Sequence, residues 1–280
     1  MGTRRASSDG SWLILPALVL LVAGFVGPML LFFVQTLAGQ GLAALAERFA
    51  AVLAADAVTT ALKTTLVIAL LVTLAVLLIS YPIAYYMAHR GGLRFTLVLF
   101  CIIVPYFTSI IVRTYAWMVL LGRNGLINET LLKLGLIEQP LDLLYTQSAV
   151  VIGMVYVLLP YMVLTLFATM KSIDPSLMRA ARGLGAGSLY AFRRVYFPLS
   201  LHGVISGSLI VFILAIGFFI TPALMGGPGD VMIAMLIERA VEITLDWPGA
   251  AVMSLVLLAL TLALYAVYYR VTDLQRMMGS

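Results

Sequence analysis

The feature that most constrains this chain is a succession of apolar stretches, each long enough to cross a lipid bilayer. A hydrocarbon core of about 30 Å takes about 20 helical residues. Six stretches meet that length: Trp12 to Leu37, Ala57 to Met87, Phe95 to Leu121, Ser148 to Met170, His202 to Leu224 and Ala250 to Tyr269. The chain is 63% hydrophobic and only 10% charged, where a soluble domain carries about 25% charged residues. An open sheet in lipid would leave backbone groups unpaired, so runs of this length read as helices. The expectation is an all-α integral membrane protein of six transmembrane helices, residues 1–280 forming a single membrane domain.

Several function classes are excluded early. The net charge of +5 comes from basic residues at the ends of apolar runs, where topology accounts for them and nucleic acid is not needed. Cys101 is the only cysteine, so no intrachain disulfide forms. Arg4 and Arg5 precede the first run as in a signal peptide, but the run outlasts the 7 to 15 residues of such a segment and lacks a small-x-small cleavage site. It reads as a retained first helix.

Basic residues set the orientation. Arg4, Arg5, Arg90, Arg94, Lys171, Arg179, Arg182, Arg193, Arg194, Arg270 and Arg276 fall on one side. Only Arg48, Lys63, Arg123, Lys133 and Arg239 fall on the other, with Arg113 inside a span. The richer side is expected to be cytoplasmic, with both termini there. On the opposite side, Leu42, Leu45, Phe49, Val52 and Leu53 recur at helical spacing and predict an interfacial amphipathic helix. Thr221 and Pro222 are expected to end or kink the fifth span before the turn cluster Gly226 to Asp230. Asp246 is placed to cap the sixth, with Pro248 in its first turn.

Between the fourth and fifth spans, SIDPSLMRAARGLGAGSLYAFRRVYFPLS (172–200) predicts two short helices joined by a glycine elbow. Asp174 caps, Pro175 suits the first helical position, and Leu177, Ala181 and Leu184 fall on one face. Gly183, Gly185 and Gly187 permit a turn with positive φ. A second segment is expected from Ser188 to about Tyr196, where Pro198 stops it. The apolar stripe needs a partner.

This segment resembles the EAA loop of permease subunits of binding-protein-dependent ABC importers, with Ala180, Ala181, Gly185, Val195 and Pro198 at the family's spacing. Phe197 replaces a leucine and Arg179 stands where the family has glutamate. YPIAYYMA (81–88), the stretch from Val104 to Asn128, VYVLLPYM (155–162) and ITPALMGGPGDVMI with DWPGAA resemble the first permease subunit of the spermidine/putrescine branch. The resemblance implies a type I importer permease in a bacterial inner membrane, its hairpin coupling to a separate ATPase through Leu177, Arg179, Ala180, Ala181, Leu184, Gly185, Val195 and Pro198. It implies as partners a second related permease, two ATPase subunits that bind ATP and Mg, and a periplasmic or lipoprotein substrate-binding protein, with no cofactor held by this chain. The cargo it implies is a polyamine or related amine, with an opine, amino-acid-like or anionic solute as the alternative. Arg179 would then meet a carboxylate or carbonyls on the ATPase.

Arg113 inside a span costs at least about 2.5 kcal/mol at the bilayer centre and needs protein or water around it. With Tyr106, Tyr115, Phe218, Phe219 and Thr221 it is a candidate for the translocation path, against the plainer alternatives of helix packing and interfacial anchoring. Asp142, Asp230 and Asp246 are candidates for docking the binding protein, or are simply solvated. No Gly-rich phosphate loop ends in Lys-Ser/Thr, and His89 and His202 cannot form an HExxH zinc site. The chain is therefore expected not to be an enzyme. The spans hold no Asp or Glu relay, which weakens a secondary transporter or channel.

Overall fold

The computed structural model describes residues 14–37 and 42–278. Trp12 and the basic pair Arg4 and Arg5 lie outside the described residues. The first span is built of α1 (Leu15–Leu21), a π-turn (Val22–Val26) and α2 (Gly27–Leu37). Next come α3 (Leu42–Ala54), α4 (Asp56–His89), α5 (Leu93–Tyr106), α6 (Ile110–Leu121), α7 (Leu126–Lys133) and α8 (Gln147–Lys171). They are followed by α9 (Pro175–Gly183), α10 (Ser188–Ala191), a second π-turn (Phe192–Tyr196), α11 (Phe197–Ile216), α12 (Ile220–Met225), α13 (Ile233–Glu242) and α14 (Trp247–Met278). Among the described residues five helices are long and apolar enough to cross a membrane, and a sixth crossing is made if a bent pair counts as one span.

The core is the α4–α8–α11 triangle. Ile68, Val72 and Val76 of α4, Met154, Leu158, Met162 and Leu166 of α8, and Val211 and Ala215 of α11 are fully buried together. Lipid supplies no hydrophobic drive between helices, so close approach depends on small side chains. Gly203 and Gly207 form a GxxxG pair on α11. A Cβ on Gly203 would lie 2.8 Å from Thr169, and one on Gly207 would lie 2.7 Å from the Met162 sulfur. By contrast, no residue of Leu15–Thr36 is buried within the chain.

The third span differs from expectation. It is not continuous from Phe95 to Leu121 but breaks after Tyr106, and the arm from Ile110 turns 101° away. Pro105 removes one helical N–H, and Thr108 then closes the end by donating from Oγ1 to the Pro105 carbonyl at 2.7 Å. The break is stable because its freed backbone is capped locally.

The fifth span also departs from the expected His202 to Leu224. Pro198 does not stop the second hairpin segment: helix runs without interruption from Ser188 to Ile216. The π-turn before it explains why. A proline clashes with the carbonyl four residues back, and widening the backbone so that the Phe197 N–H reaches the Phe192 carbonyl accommodates it. The π-turn at Val22–Val26 precedes Pro28 in the same register, with the Gly27 N–H bonded to the Val22 carbonyl. The fifth span instead breaks at Gly217–Phe219, and Pro222 sits inside α12 rather than ending the helix.

On the side where α4 begins, the expected amphipathic segment is helical, and Leu45, Phe49 and Val52 are partly buried. Its Arg48 pairs with Asp246 at 2.9 Å, and Asp246 caps α14 by accepting the Gly249 N–H at 3.0 Å. The unforeseen α13 packs Ile233 and Ala240 against Val58 and Ala250. Thr65 of α4 holds its start, accepting the Ile233 N–H at 2.8 Å.

Candidate functional site

The hairpin between α8 and α10 is built from its caps outward. Asp174 accepts the Ser176 N–H at 2.8 Å, Pro175 occupies the first turn, and α9 begins there. Hydrogen bonds from Ser176, aided by the nearby Arg179 charge, hold the Asp174 carboxyl below its ordinary value of 3.8. At the other end Gly185 has φ +88°. Its N–H reaches the Arg182 carbonyl, and the Ala186 N–H reaches that of Ala181. This is a Schellman closure, which places the second glycine of the segment's elbow where a left-handed residue is required. Gly183 and Gly187 do not adopt positive φ.

The hairpin is anchored by an aromatic cluster at the end of α4. Tyr85 packs on Tyr196 with centroids 5.0 Å apart, and Phe192 stacks on Tyr196 at 5.8 Å. Tyr81 and Ser200 share a hydroxyl contact at 2.8 Å. These contacts fix α10 and the π-turn to the bundle, while the tip stays uncovered: Leu184 is 90% exposed, Leu189 71%, Tyr190 62% and Leu177 44%. Beside the tip, Leu189, Tyr190, Arg193, Arg194 and Phe197 line an open cavity of about 790 Å³.

At 100° per residue, Leu177, Ala180, Ala181 and Leu184 share one face of α9. Pro175, Met178, Arg179 and Arg182 share the opposite face. Arg179 therefore points away from the apolar stripe, and lines a second cavity against the ends of α4 and α8. Val195 is partly buried in the π-turn and Pro198 is exposed at the start of α11.

The candidates for the path are not gathered on one wall. Tyr106 meets Tyr161, hydroxyls 3.5 Å apart and rings edge to face at 5.6 Å, beside a cavity of about 310 Å³ at the break of the third span. Arg113 faces a neighbouring cavity of about 230 Å³ lined by Thr108, Trp117 and Tyr156, and its Nε is sealed from solvent with no hydrogen-bond partner. Tyr115 is two residues on, 200° around α6, and exposed. Phe218 is partly buried and Phe219 exposed at the break before α12. Thr221 is completely buried and bonded to Thr114.

Of the candidates for docking, Asp142 is exposed. Asp230 accepts the Gly227 N–H at 2.9 Å and closes its own turn, while Asp246 is committed to Arg48 and the α14 cap. Sequence reasoning missed Tyr161 and Thr114, whose partners lie 55 and 107 residues away. The aromatic–proline context of Tyr161, in LPYM, was the available signal for the first; Thr114 offered none.

Residues 80–276 match the family described as the binding-protein-dependent transport system inner membrane component. The chain is 39% identical over 194 residues to the spermidine/putrescine transport system permease protein PotB of Escherichia coli, covering 69% of this chain and 70% of that protein. It is 36% identical to PotB of Haemophilus influenzae, with 69% and 68% covered. Its fold is similar to a bacterial ABC transporter involved in import of the acidic polysaccharide alginate, with TM-score 0.71, 17% identity, and 94% and 95% of the two chains covered. The broken spans, the GxxxG-packed core and the exposed hairpin are thus those of a multi-pass inner-membrane protein that belongs to the binding-protein-dependent transport family, a permease subunit of an ABC importer.

Proposed function

We propose that this chain forms half of the translocation pathway of an ATP-driven importer for a polyamine or a related organic amine. The observation that carries this reading is the 39% identity to a spermidine/putrescine permease over 194 residues. A second, related permease completes the pathway. Two ATPase subunits, which hold ATP and Mg, receive the exposed apolar tip of the hairpin, and a substrate-binding protein delivers cargo on the opposite face. The excess of basic residues on the hairpin side supports a cytoplasmic location for the hairpin and both termini. ATP-driven closure of the ATPases displaces the hairpins, and the helices rock between outward-open and inward-open states.

The test is reconstitution of the complete importer with its cognate binding protein. Spermidine or putrescine loaded on that protein should stimulate ATP hydrolysis and accumulate in the vesicle lumen. Stimulation only by an amino-acid-like or anionic ligand would reject the amine. That second reading has one structural observation in its favour: Arg113, a cation within the span whose Nε lacks a partner.

A further inference from the structure

The face of α9 opposite the apolar stripe covers a cavity of about 340 Å³ closed by Tyr85, Ala88 and His89 of α4 and by Met170 and Lys171 of α8. Three cations line it, Lys171, Arg179 and Arg182, against one carboxylate, Asp174. The carboxylate is engaged in capping α9, and none of the three cations forms a salt bridge among the described residues. His89 uses Nδ1 on the Tyr85 carbonyl at 2.9 Å. Tyr196 closes the inner wall of the cavity; it is 1% exposed, and its hydroxyl is sealed inside the bundle. Three cations around one cavity with no carboxylate in a salt bridge to them are a donor set without its acceptor.

We propose that this cavity binds a phosphate-bearing anion, namely the headgroup of an anionic phospholipid in the leaflet beside the hairpin. A phosphate offers several acceptor oxygens and at least one charge, which suits two guanidinium groups from α9 and an ammonium from α8 around one cavity. Depth selects the lipid over a soluble phosphate. Helix α8 has 25 residues and is about 37 Å long. Against a core of about 30 Å it is long enough to carry Lys171 out to the headgroup layer. Basic pockets between emerging helices on the cytoplasmic side are suited to such headgroups. The bound lipid would bridge α4, α8 and α9, bracing the hairpin from behind while the opposite face remains free for the ATPase. The site rests on the cytoplasmic placement of the hairpin, but not on the identity of the cargo.

The experiment compares lipid retained by the purified complete importer after membranes of 3:1 phosphatidylethanolamine and phosphatidylglycerol are solubilised and washed. Native mass spectrometry should find phosphatidylglycerol enriched on the parent. Arg179→Gln with Arg182→Gln should lower retention roughly tenfold. Arg179→Lys with Arg182→Lys should keep most of it, which separates lost charge from misfolding. Arg90→Gln with Arg94→Gln removes the same charge from the same side and should leave retention unchanged. Equal loss in that pair would mean general attraction to a basic surface and would overturn the site, as would a parent that shows no enrichment. Displacement of the lipid by 5 mM inorganic phosphate would assign the cavity to a soluble anion and overturn the lipid. Protection of Gly91 and Ser188 from an impermeant outside label is the separate check on orientation, so its failure is distinguishable from failure of the site.

Discussion

Thr114 and Thr221 meet hydroxyl to hydroxyl at 3.1 Å, both buried, across the junction of α6 and α12. Each stands just past a break, one in the third span and one in the fifth, so a single contact ties the two irregular segments together. Gly153 of α8 completes the joint. A Cβ there would lie 2.7 Å from the Thr221 methyl and 2.8 Å from the Met225 sulfur.

Gly153→Ala should therefore push α12 off α8 and destabilise the importer by about 1 to 3 kcal/mol. Thr114→Val should cost less, about 0.6 to 1.7 kcal/mol, because shape is kept and only the hydroxyl contacts to Thr221 and to the Ile110 carbonyl are lost. Thermal unfolding of the detergent-purified complex measures both. Gly153→Ala matching the parent would mean that α12 is not packed on α8 as described.

Gly185→Ala is a cleaner test of the elbow. Nothing lies within 4 Å of a Cβ at that position, so the cost is the left-handed backbone alone, about 1 to 2 kcal/mol. The expected outcome is a complex that still assembles but transports less per ATP hydrolysed, measured in vesicles.

The two faces of α9 can be tested separately. Leu184→Asp should prevent ATPase association, and Leu184→Ala should weaken it by about 2 kcal/mol, or roughly 30-fold, if the side chain is fully buried in the complex. Arg179→Glu should weaken association less than Leu184→Asp, since Arg179 lies on the other face. Co-purification of the ATPase with each variant decides, and a larger loss from Arg179→Glu would restore a direct ATPase contact for that residue.

Asp174 predicts a pH dependence. Its folded pKa lies below the ordinary 3.8, so the charged cap favours the folded hairpin above that value, and the contribution fades as pH falls through the lower folded pKa. Amide exchange at Ser176 should accelerate in that acid window in the parent. Asp174→Asn should show no such transition.

Topology is tested by labelling in a Cys101→Ser background. Cysteines at Gly91 and Ser188 should be shielded from an impermeant outside reagent in intact cells, and one at Gly229 should react. Labelling at Ser188 would invert the orientation.

Much of this was local and therefore legible. The apolar runs identified five spanning helices and one bent pair because hydrophobicity over about 20 residues is a property of the run itself. Asp174 with Pro175, and Asp246 before Trp247, marked helix starts because an N-cap needs only its own next turn. Pro198 misled. Its missing N–H was visible, but the five-residue widening that absorbs it was not, because that depends on whether the helix is held on both sides.

What only the tertiary structure decided is which partners meet across the bundle. The α4–α8–α11 contact requires Gly203 and Gly207 to face Thr169 and Met162, and no window of sequence reports that pairing. The 101° break after Tyr106 survives because Thr108 caps it, while the latch from Thr114 to Thr221 ties its far arm to the fifth span. The sequence by itself placed Leu177, Ala181 and Leu184 on one face of a short helix, since 100° per residue is intrinsic to the backbone, but it grouped Arg179 with them as a coupling residue, and the structure turns Arg179 to the other face. Which of those faces turns to the ends of α4 and α8 and which stays uncovered was settled by the aromatic anchoring of the hairpin on α4. Side-chain packing between distant helices, and not local propensity, fixes that orientation.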